Sequence, residues 1–270
     1  MAGLDKKNKE RSMRDNHVKQ KVNDGGTSIG TFMFEFNTTG IGRIAAGAGA
    51  DFAIFDMEHT GWSVETIRLL IATTRPTEMI PYVRVPTTEY DFIARALDMG
   101  AMGVMVPMVE SVEQAETIVA SGKYPPVGYR GAAFGIVHDD YRGGDVAEKI
   151  DSANRESHLI AQIETAKGVE NAEAIAGVDG IDVLWIGHFD LSNSLGIPGQ
   201  FDHPRFKESV QTVLAACKRY GKPAGFMAGG IDDGKALLDQ GFRMLAYGGD
   251  LWLYQNAVRE GVNALKTHVS

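Results

Sequence analysis

The chain has 270 residues, of which 44% are hydrophobic and 23% charged, and its formal net charge is -8 at pH 7. This composition is typical of a globular protein and excludes disordered, collagen-like and coiled-coil chains. The sequence contains no run of about 18 apolar residues, so it predicts no transmembrane helix, and its N-terminus lacks the apolar stretch of a signal peptide. The single cysteine, Cys217, has no partner for an internal disulfide, which favours a reducing, cytoplasmic location.

The charge is distributed unevenly along the chain. Residues 1–23 contain seven basic and three acidic side chains, so this leader carries +4 and the remainder carries -12. We interpret residues 1–24 as a basic N-terminal extension, typical of a solvated or frayed helical segment, and residues 25–270 as the folded domain. Contact of the extension with an acidic surface is the alternative. The acidic body argues against a nucleic-acid partner.

Short apolar runs alternate with amphipathic stretches from residue 28 onward. The predicted strands are Ile29–Phe36, Phe52–Phe55, Ile80–Val83, Gly103–Pro107, Leu159–Ile163, Val183–Ile186, Pro223–Phe226 and Met244–Ala246. The predicted helices include Gly40–Ala48, Val64–Thr74, Asp91–Met99, Val112–Ala120, Phe206–Tyr220, Asp232–Gln240 and Trp252–Leu265. The region Ser121–Ser157 interrupts this rhythm, and we interpret it as a long active-site loop with a short helix.

About eight strand–helix pairs follow one another without a linker or a repeat. Strands that alternate with helices predict parallel pairing, and eight units in about 245 residues match the size of a (β/α)₈ barrel. A doubly wound open sheet is the alternative, but no G-x-G-x-x-G follows the first strand. We therefore expect one α/β domain with the TIM-barrel architecture.

Polar residues follow several of the predicted strands at the same end. Asp56 to His59 follow the second strand, Arg84 follows the third, and Gln162 and Glu164 share one side of the fifth. The carboxyl ends of barrel strands form the catalytic face, so these positions predict an active site.

Glu164 and Asp190 are candidate metal ligands, because carboxylate oxygens suit Mg²⁺ or Mn²⁺. A hydrogen-bonded pair inside the barrel is the alternative for Glu164, and a helix cap is the alternative for Asp190.

His59 and Arg84 are candidates for the proton transfer and the binding of an anion. An imidazole exchanges a proton readily near neutral pH, so His59 is a candidate general base that Asp56 or Glu58 orients. A polar loop residue is the alternative for His59. The planar guanidinium of Arg84 matches a carboxylate, and a structural ion pair is the alternative for this residue.

Six ordered segments carry a family resemblance: Asp56–His59, Arg84–Pro86, Val106–Val109, Tyr124–Gly131, Gln162–Thr165 and Asp190–Ser192. Over about residues 25–266 this set resembles the HpcH/HpaI aldolase family of metal-dependent, class II pyruvate aldolases. The resemblance implies a barrel of the phosphoenolpyruvate/pyruvate-domain type that exchanges its C-terminal helix between subunits and assembles as a hexamer, a trimer of dimers. It also implies a divalent cation, Mg²⁺, Mn²⁺ or Co²⁺.

The resemblance also implies roles for individual residues. Glu164 and Asp190 match the metal-binding carboxylates, and His59 matches the catalytic base. The remaining matches are Asp56 as the acid that pairs with the base, Arg84, Gln162, Phe189 and Asp190 at the substrate, and Asp98 as an aspartate that reaches the active site of a neighbouring subunit.

The resulting hypothesis is reversible cleavage of a 4-hydroxy-2-oxo acid to pyruvate and an aldehyde through a metal-stabilised enolate. One alternative is another metal-enolate enzyme, either citrate-lyase-like or acting on phosphoenolpyruvate. The other alternative is a catalytically silent barrel that serves as a binding subunit. His188 and Trp62 depart from the family pattern near the site, so the resemblance does not assign the aldehyde.

Overall fold

The computed structural model describes residues 13–269 and shows a closed barrel of eight parallel strands in chain order. The strands are β1 (Ser28–Met33), β2 (Phe52–Asp56), β3 (Ile80–Arg84), β4 (Gly103–Val106), β5 (His158–Ile163), β6 (Val183–Ile186), β7 (Ala224–Ala228) and β8 (Met244–Gly249). Strand β1 pairs with both β2 and β8, which closes the barrel. The predicted (β/α)₈ fold is confirmed.

Helices connect successive strands and cover the barrel. They are α1 (His17–Asn23), α2 (Ile41–Gly47), α3 (Val64–Thr74), α4 (Tyr90–Asp98), α5 (Val112–Gly122), α6 (Val146–Glu156), α7 (Ala166–Glu170), α8 (Ala172–Ala176), α9 (His188–Ser194), α10 (Pro204–Arg219), α11 (Ile231–Gln240) and α12 (Asp250–Val269). A 3₁₀ turn spans Val137–Asp139. None of the helices in residues 13–269 combines the length and apolar character needed to cross a membrane.

Helix α3 illustrates how the local sequence determines an element. The hydroxyl of Ser63 accepts a hydrogen bond from the Thr66 backbone N–H at 3.2 Å and so caps the first turn. Ile67, Leu70 and Ile71 recur at helical spacing and are all buried against the barrel. This agreement between cap and periodicity explains why the predicted bounds of this helix are confirmed at both ends.

The hydrophobic core has two layers. Alternate residues of each strand either face the helices or fill the barrel interior; on β2, for example, Phe55 faces outward and Ile54 inward. Val18 and Val22 of α1 join the interior layer, so this helix closes the amino end of the barrel. The predicted basic extension therefore includes a segment packed beneath the barrel, while its residues 1–12 lie outside the described part of the chain.

Strand β1 ends at Met33, three residues before the predicted end at Phe36. The backbone N–H groups of Phe34 to Phe36 donate to the carboxylate of Asp250 at 2.8–3.0 Å and not to a neighbouring strand. A carboxylate that is distant in the sequence thus ends the strand.

The prediction of an active-site loop over Ser121–Ser157 is wrong for the site of this chain. Its residues follow α5 and precede β5, and a helix-to-strand connection lies at the amino ends of the strands. Helix α6 occupies its second half, and Lys149 of that helix is buried in an ion pair with Asp139. The segment therefore packs at the end opposite to the predicted catalytic face.

Helix α12 leaves the barrel with most of its surface uncovered. Beyond its first residues no side chain is buried, and Trp252, Tyr254 and Leu265 are 43%, 61% and 71% exposed. Its contacts with strands are made to β1 and β8. Exchange of this helix with another subunit stays a prediction, and the uncovered apolar side chains are consistent with it.

Candidate active site

The alternation of side chains along the strands places the predicted polar residues on the inner face of the barrel. On β3 the interior residue Tyr82 is followed at the same parity by Arg84. On β5 the interior residue Ile160 is followed by Gln162 and, just beyond the strand, by Glu164. The prediction that Gln162 and Glu164 share one side is confirmed, since the Gln162 amide donates to the Glu164 carboxylate.

A cavity of about 490 Å³ opens at the carboxyl ends of the strands, and we call it the strand-end cavity. Six of the predicted site residues line it, namely His59, Arg84, Gln162, Glu164, Phe189 and Asp190. A second cavity of about 910 Å³ lies beside α10, α11 and α12, and none of the predicted catalytic or metal-binding residues lines it. The strand-end cavity is therefore the candidate active site.

Arg84 is held firmly beneath this cavity. Its Nε lies 2.5 Å from Oδ1 of Asp56, which is its direct partner on the neighbouring strand, and its Nη1 lies 3.1 Å from Oε2 of Glu58. The guanidinium also lies 5.2 Å from the centroid of the Phe32 ring. Two carboxylates and an aromatic ring fix the guanidinium. It has five N–H donors, which is more than the contacts to these partners use.

Asp56 organises the loop that carries His59. Its fully buried carboxylate accepts hydrogen bonds from the backbone N–H groups of His59 at 2.8 Å and Glu58 at 3.3 Å. The carboxylate within ion-pair distance of the His59 imidazole is that of Glu58, at 3.7 Å. Asp56 thus contacts the backbone of His59 and the side chain of Arg84, and it does not pair with the imidazole as the resemblance implies.

Glu58 is a member of the site that the sequence indicated only as one of two groups able to orient His59. Burial raises the pKa of its carboxyl to about 7, with repulsion from Asp56 and Asp190 adding to the shift and attraction to Arg84 opposing it. The Glu58 carboxyl can therefore gain or lose a proton near neutral pH.

Glu164 is almost completely buried and is oriented by three neighbours. Its Oε1 accepts a hydrogen bond from the backbone N–H of Met108 at 2.7 Å, and the Gln162 amide donates to Oε2. Met108 adopts a positive φ of 54° to make this contact, a conformation that is uncommon for a residue other than glycine. A Cβ at Gly187 would clash with the same carboxylate, so glycine is needed there. Burial raises the pKa of Glu164 to about 7.

The donor set of the cavity fits a hard divalent cation. Oε1 of Gln162 is buried without a hydrogen-bond partner beside the carboxylate of Glu164, and no hydrogen bond or ion pair within residues 13–269 occupies the carboxylate of Asp190. The same residues contain no group of three or more His, Cys, Asp or Glu side chains placed to hold a metal ion by themselves. Two carboxylates and an amide oxygen instead suit Mg²⁺ or Mn²⁺ with water and substrate as further ligands.

Asp98 lies apart from the other predicted site residues. It ends α4, at the amino end of the barrel, and Oδ1 lies 2.6 Å from Nη2 of Arg130 in the same chain. Its predicted contribution to a neighbouring subunit's site stays a prediction.

The cavity wall also includes residues that the sequence does not predict as part of a site. Phe34, Glu35 and Trp252 line the cavity beyond the ends of β1 and β8. Phe34 falls within the predicted first strand, where an aromatic residue reads as core, and Trp252 begins a predicted helix. Their shared position depends on Asp250, whose contact with the chain after β1 has no local sequence signal.

Comparisons with known proteins agree with this geometry. The sequence model described as HpcH/HpaI aldolase/citrate lyase matches residues 29–257. The 5-keto-4-deoxy-D-glucarate aldolase of Klebsiella pneumoniae is 35% identical over 219 residues, which cover 81% of this chain and 85% of that enzyme. The HpcH/HpaI aldolase from Desulfitobacterium hafniense superposes with a TM-score of 0.88 at 35% identity, covering 92% of this chain and 96% of that one.

The structure of the citrate synthase SbnG is also similar, with a TM-score of 0.83, 29% identity, and coverage of 93% and 97% of the two chains. The family match spans most of the chain, and the curated relative and the superposed aldolase both exceed 30% identity. The chain therefore belongs to the HpcH/HpaI aldolase/citrate lyase family, and it is a carbon–carbon lyase of the class II aldolase type.

Proposed function

We propose that the chain reversibly cleaves a 4-hydroxy-2-oxo acid to pyruvate and an aldehyde, with a divalent cation held by Glu164 and Asp190. The observation that carries this proposal is the strand-end cavity, which is lined by the fixed guanidinium of Arg84, a buried carboxylate and an unpaired amide oxygen. The Klebsiella relative is named for 5-keto-4-deoxy-D-glucarate, which is itself a 4-hydroxy-2-oxo acid when numbered from its keto end.

Glu164, Asp190 and the amide oxygen of Gln162 are the groups that would hold the cation. When bound, Mg²⁺, Mn²⁺ or Co²⁺ supplies positive charge that stabilises the negative charge developing on the 2-oxo oxygen. The backbone N–H of Met108 and the amide of Gln162 orient Glu164 for this role.

Arg84 supplies the second positive charge. Because Asp56, Glu58 and the Phe32 ring hold the guanidinium in place, its free N–H donors need not reorganise when the substrate's carboxylate and oxo oxygens arrive. Such preorganised donors are worth about 10²–10³ in rate in other enzymes.

His59 is the base of the proposed reaction. Its half-exposed imidazole lines the cavity and takes the proton from the C4 hydroxyl. The electron pair of the O–H bond then forms the second carbon–oxygen bond of the aldehyde carbonyl. The C3–C4 bond breaks, and its electron pair passes to the pyruvate fragment. A proton returned to C3 completes pyruvate, and the reverse sequence makes the carbon–carbon bond.

The finer properties of the enzyme are also part of the proposal. The uncovered apolar side chains of α12 support an assembly in which subunits exchange this helix, as in a hexamer built from a trimer of dimers. In that assembly Asp98 contributes to a neighbouring site. The single buried cysteine supports a reducing, cytoplasmic location.

The test follows pyruvate release from 4-hydroxy-2-oxo acids by metal-stripped enzyme, with and without added Mg²⁺, Mn²⁺ or Co²⁺. We expect activity to require the metal and to disappear in the Glu164→Ala variant. The exchange of pyruvate methyl hydrogens with D₂O, followed by NMR, tests the same half-reaction without any aldehyde. Full activity of the stripped enzyme in EDTA would overturn the metal's role, and turnover restricted to a CoA thioester or phosphoenolpyruvate would overturn the aldol reaction.

A further inference from the structure

The strand-end cavity extends beyond the groups assigned to pyruvate, and aromatic rings line this remaining part. Phe34 and Trp252 meet edge to face with their centroids 5.1 Å apart. Trp252 is 43% exposed and Phe189 is 57% exposed, so both rings present apolar surface. Exposed aromatic rings that converge in a cavity are typical of a binding surface for an apolar group.

Within residues 13–269 this part of the cavity offers no further lysine or arginine for a second carboxylate, since Lys207 and Arg259 line the larger neighbouring cavity. Among the described residues that line the cavity, Arg84 is the one lysine or arginine, and it already pairs with Asp56 and Glu58. The ring of His188 packs nearly parallel to that of Phe226, with centroids 4.9 Å apart, and contacts two further phenylalanine rings. It is thereby enclosed by apolar groups.

An unpaired acid occupies this wall instead. Glu35 follows Phe34, lines the cavity and is exposed, and within residues 13–269 no lysine, arginine or histidine lies in ion-pair distance of it. A substrate carboxylate placed beside Glu35 would meet a like charge without a counter-ion, which is unfavourable by an amount that readily decides specificity.

From these observations we infer that the aldehyde partner carries an uncharged aromatic or aliphatic group, and that Glu35 discriminates against aldehydes bearing a second carboxylate. This inference rests on the proposed aldol reaction and specifies its substrate class. It separates this chain from its relative named for 5-keto-4-deoxy-D-glucarate, whose aldehyde fragment is itself a carboxylate. Phe34, Phe189 and Trp252 would then bind the group attached to the aldehyde carbon.

The experiment measures aldol addition of pyruvate to three aldehydes with the metal-loaded enzyme. Pentanal and succinate semialdehyde are matched in length but differ in charge, and benzaldehyde tests the aromatic wall. We expect kcat/KM for pentanal and benzaldehyde to exceed that for succinate semialdehyde by about tenfold or more. A preference of the wild-type enzyme for succinate semialdehyde would overturn the inference.

Two charge-reversal variants test the role of Glu35 in aldehyde specificity. Glu35→Lys should shift the ratio of kcat/KM for succinate semialdehyde over pentanal about tenfold or more toward the charged aldehyde. Asp239→Lys makes the same charge change at an exposed position in the last turn of α11, outside the cavity, and should leave the ratio unchanged. An unchanged ratio in Glu35→Lys, with the fold verified by circular dichroism, would remove Glu35 from specificity.

Phe189→Ala should lower kcat/KM for benzaldehyde more than for acetaldehyde, and an equal loss for both would contradict the aromatic wall.

Deuterium exchange into pyruvate separates this inference from the function on which it rests, because exchange needs no aldehyde. Without exchange, the proposed function itself fails. Exchange accompanied by a preference for the charged aldehyde overturns the specificity alone.

Discussion

The two ends of the barrel interior both bury polar side chains, and the partners of those side chains differ. At the amino end the Tyr82 hydroxyl contacts Oδ1 of Asn16 at 3.2 Å and Nδ1 of His158 at 2.9 Å. Asn16 in turn donates to the carbonyl oxygens of Met102 and Glu156. The buried polar groups at this end therefore find partners within the chain, both through these neutral hydrogen bonds and through charged groups such as the Glu156 carboxylate, which accepts from the Asn16 backbone N–H at 2.8 Å.

At the carboxyl end burial acts on acids that lack sufficient counter-ions. Glu58 and Glu164 both have a pKa raised to about 7, whereas burial lowers the pKa of His158 at the opposite end to about 3. In each case desolvation disfavours the charged form. At the amino end burial therefore favours a neutral histidine, whereas at the carboxyl end it favours protonation of two acids beside the strand-end cavity.

Removing a carboxylate proposed to bind the metal should have the largest effect. We expect Glu164→Ala to lower pyruvate release by about 10³-fold or more, because the cation's contribution of several kcal/mol is lost. Its melting temperature in EDTA should change little, because removing a buried acid that has no counter-ion offsets the loss of the hydrogen bonds from Met108 and Gln162. Glu116→Ala on the exposed face of α5 is the matched control. A variant that unfolds more easily without metal would make Glu164 a structural residue.

Replacing the fixed cation should have the next largest effect. Arg84→Lys keeps the charge but cannot pair with Asp56 and Glu58 together while also binding an anion. We expect deuterium exchange into pyruvate to slow by about 10²-fold. Exchange at the wild-type rate would show that any positively charged side chain suffices and that the planar arrangement of N–H donors on the guanidinium has no role.

The pH dependence of stability should have opposite signs at the two ends. His158 has a folded pKa of about 3, below the usual value of 6.5, so its contribution is complete above pH 6.5 and is lost as the pH falls. Glu164 has a folded pKa of about 7, above the usual 4.5, so its contribution is complete below pH 4.5 and is lost as the pH rises.

Urea unfolding of metal-free protein between pH 4.5 and 6.5 measures both contributions, each with a limiting slope of about 1.4 kcal/mol per pH unit. His158→Asn should flatten the rise of stability with pH, and Glu164→Gln should steepen it. Parallel curves for the two variants would contradict the assignment of opposite signs.

The smallest effect is expected from a single hydroxyl at the amino end. Tyr82→Phe removes the contacts to Asn16 and His158 and leaves both groups buried with one partner fewer. We expect the free energy of unfolding to fall by about 1–3 kcal/mol. The kcat for pyruvate release at 25 °C should not change, and a selective loss of kcat would show that the two ends are coupled.

Features that depend on short stretches of sequence could be predicted, whereas features that depend on distant contacts could not. Alternation of strands and helices predicts the barrel, and strand parity predicts that Gln162 and Glu164 meet, because both patterns repeat over a few residues. The location of Ser121–Ser157 was mispredicted, since composition does not reveal on which side of a strand a connection lies. The role of Asp56 was missed in part, because its partners are backbone N–H groups that any sequence supplies.

The carboxylate of Asp250 joins two parts of the molecule that have separate tasks. It holds the backbone of Phe34, Glu35 and Phe36 at the cavity wall, and it is the first residue of the uncovered helix α12. In the proposed assembly, a rotation of this helix against another copy would act through this one side chain on the wall that is proposed to meet the aldehyde. Substitutions along α12, far from the proposed chemistry, would then be a route by which selectivity is tuned.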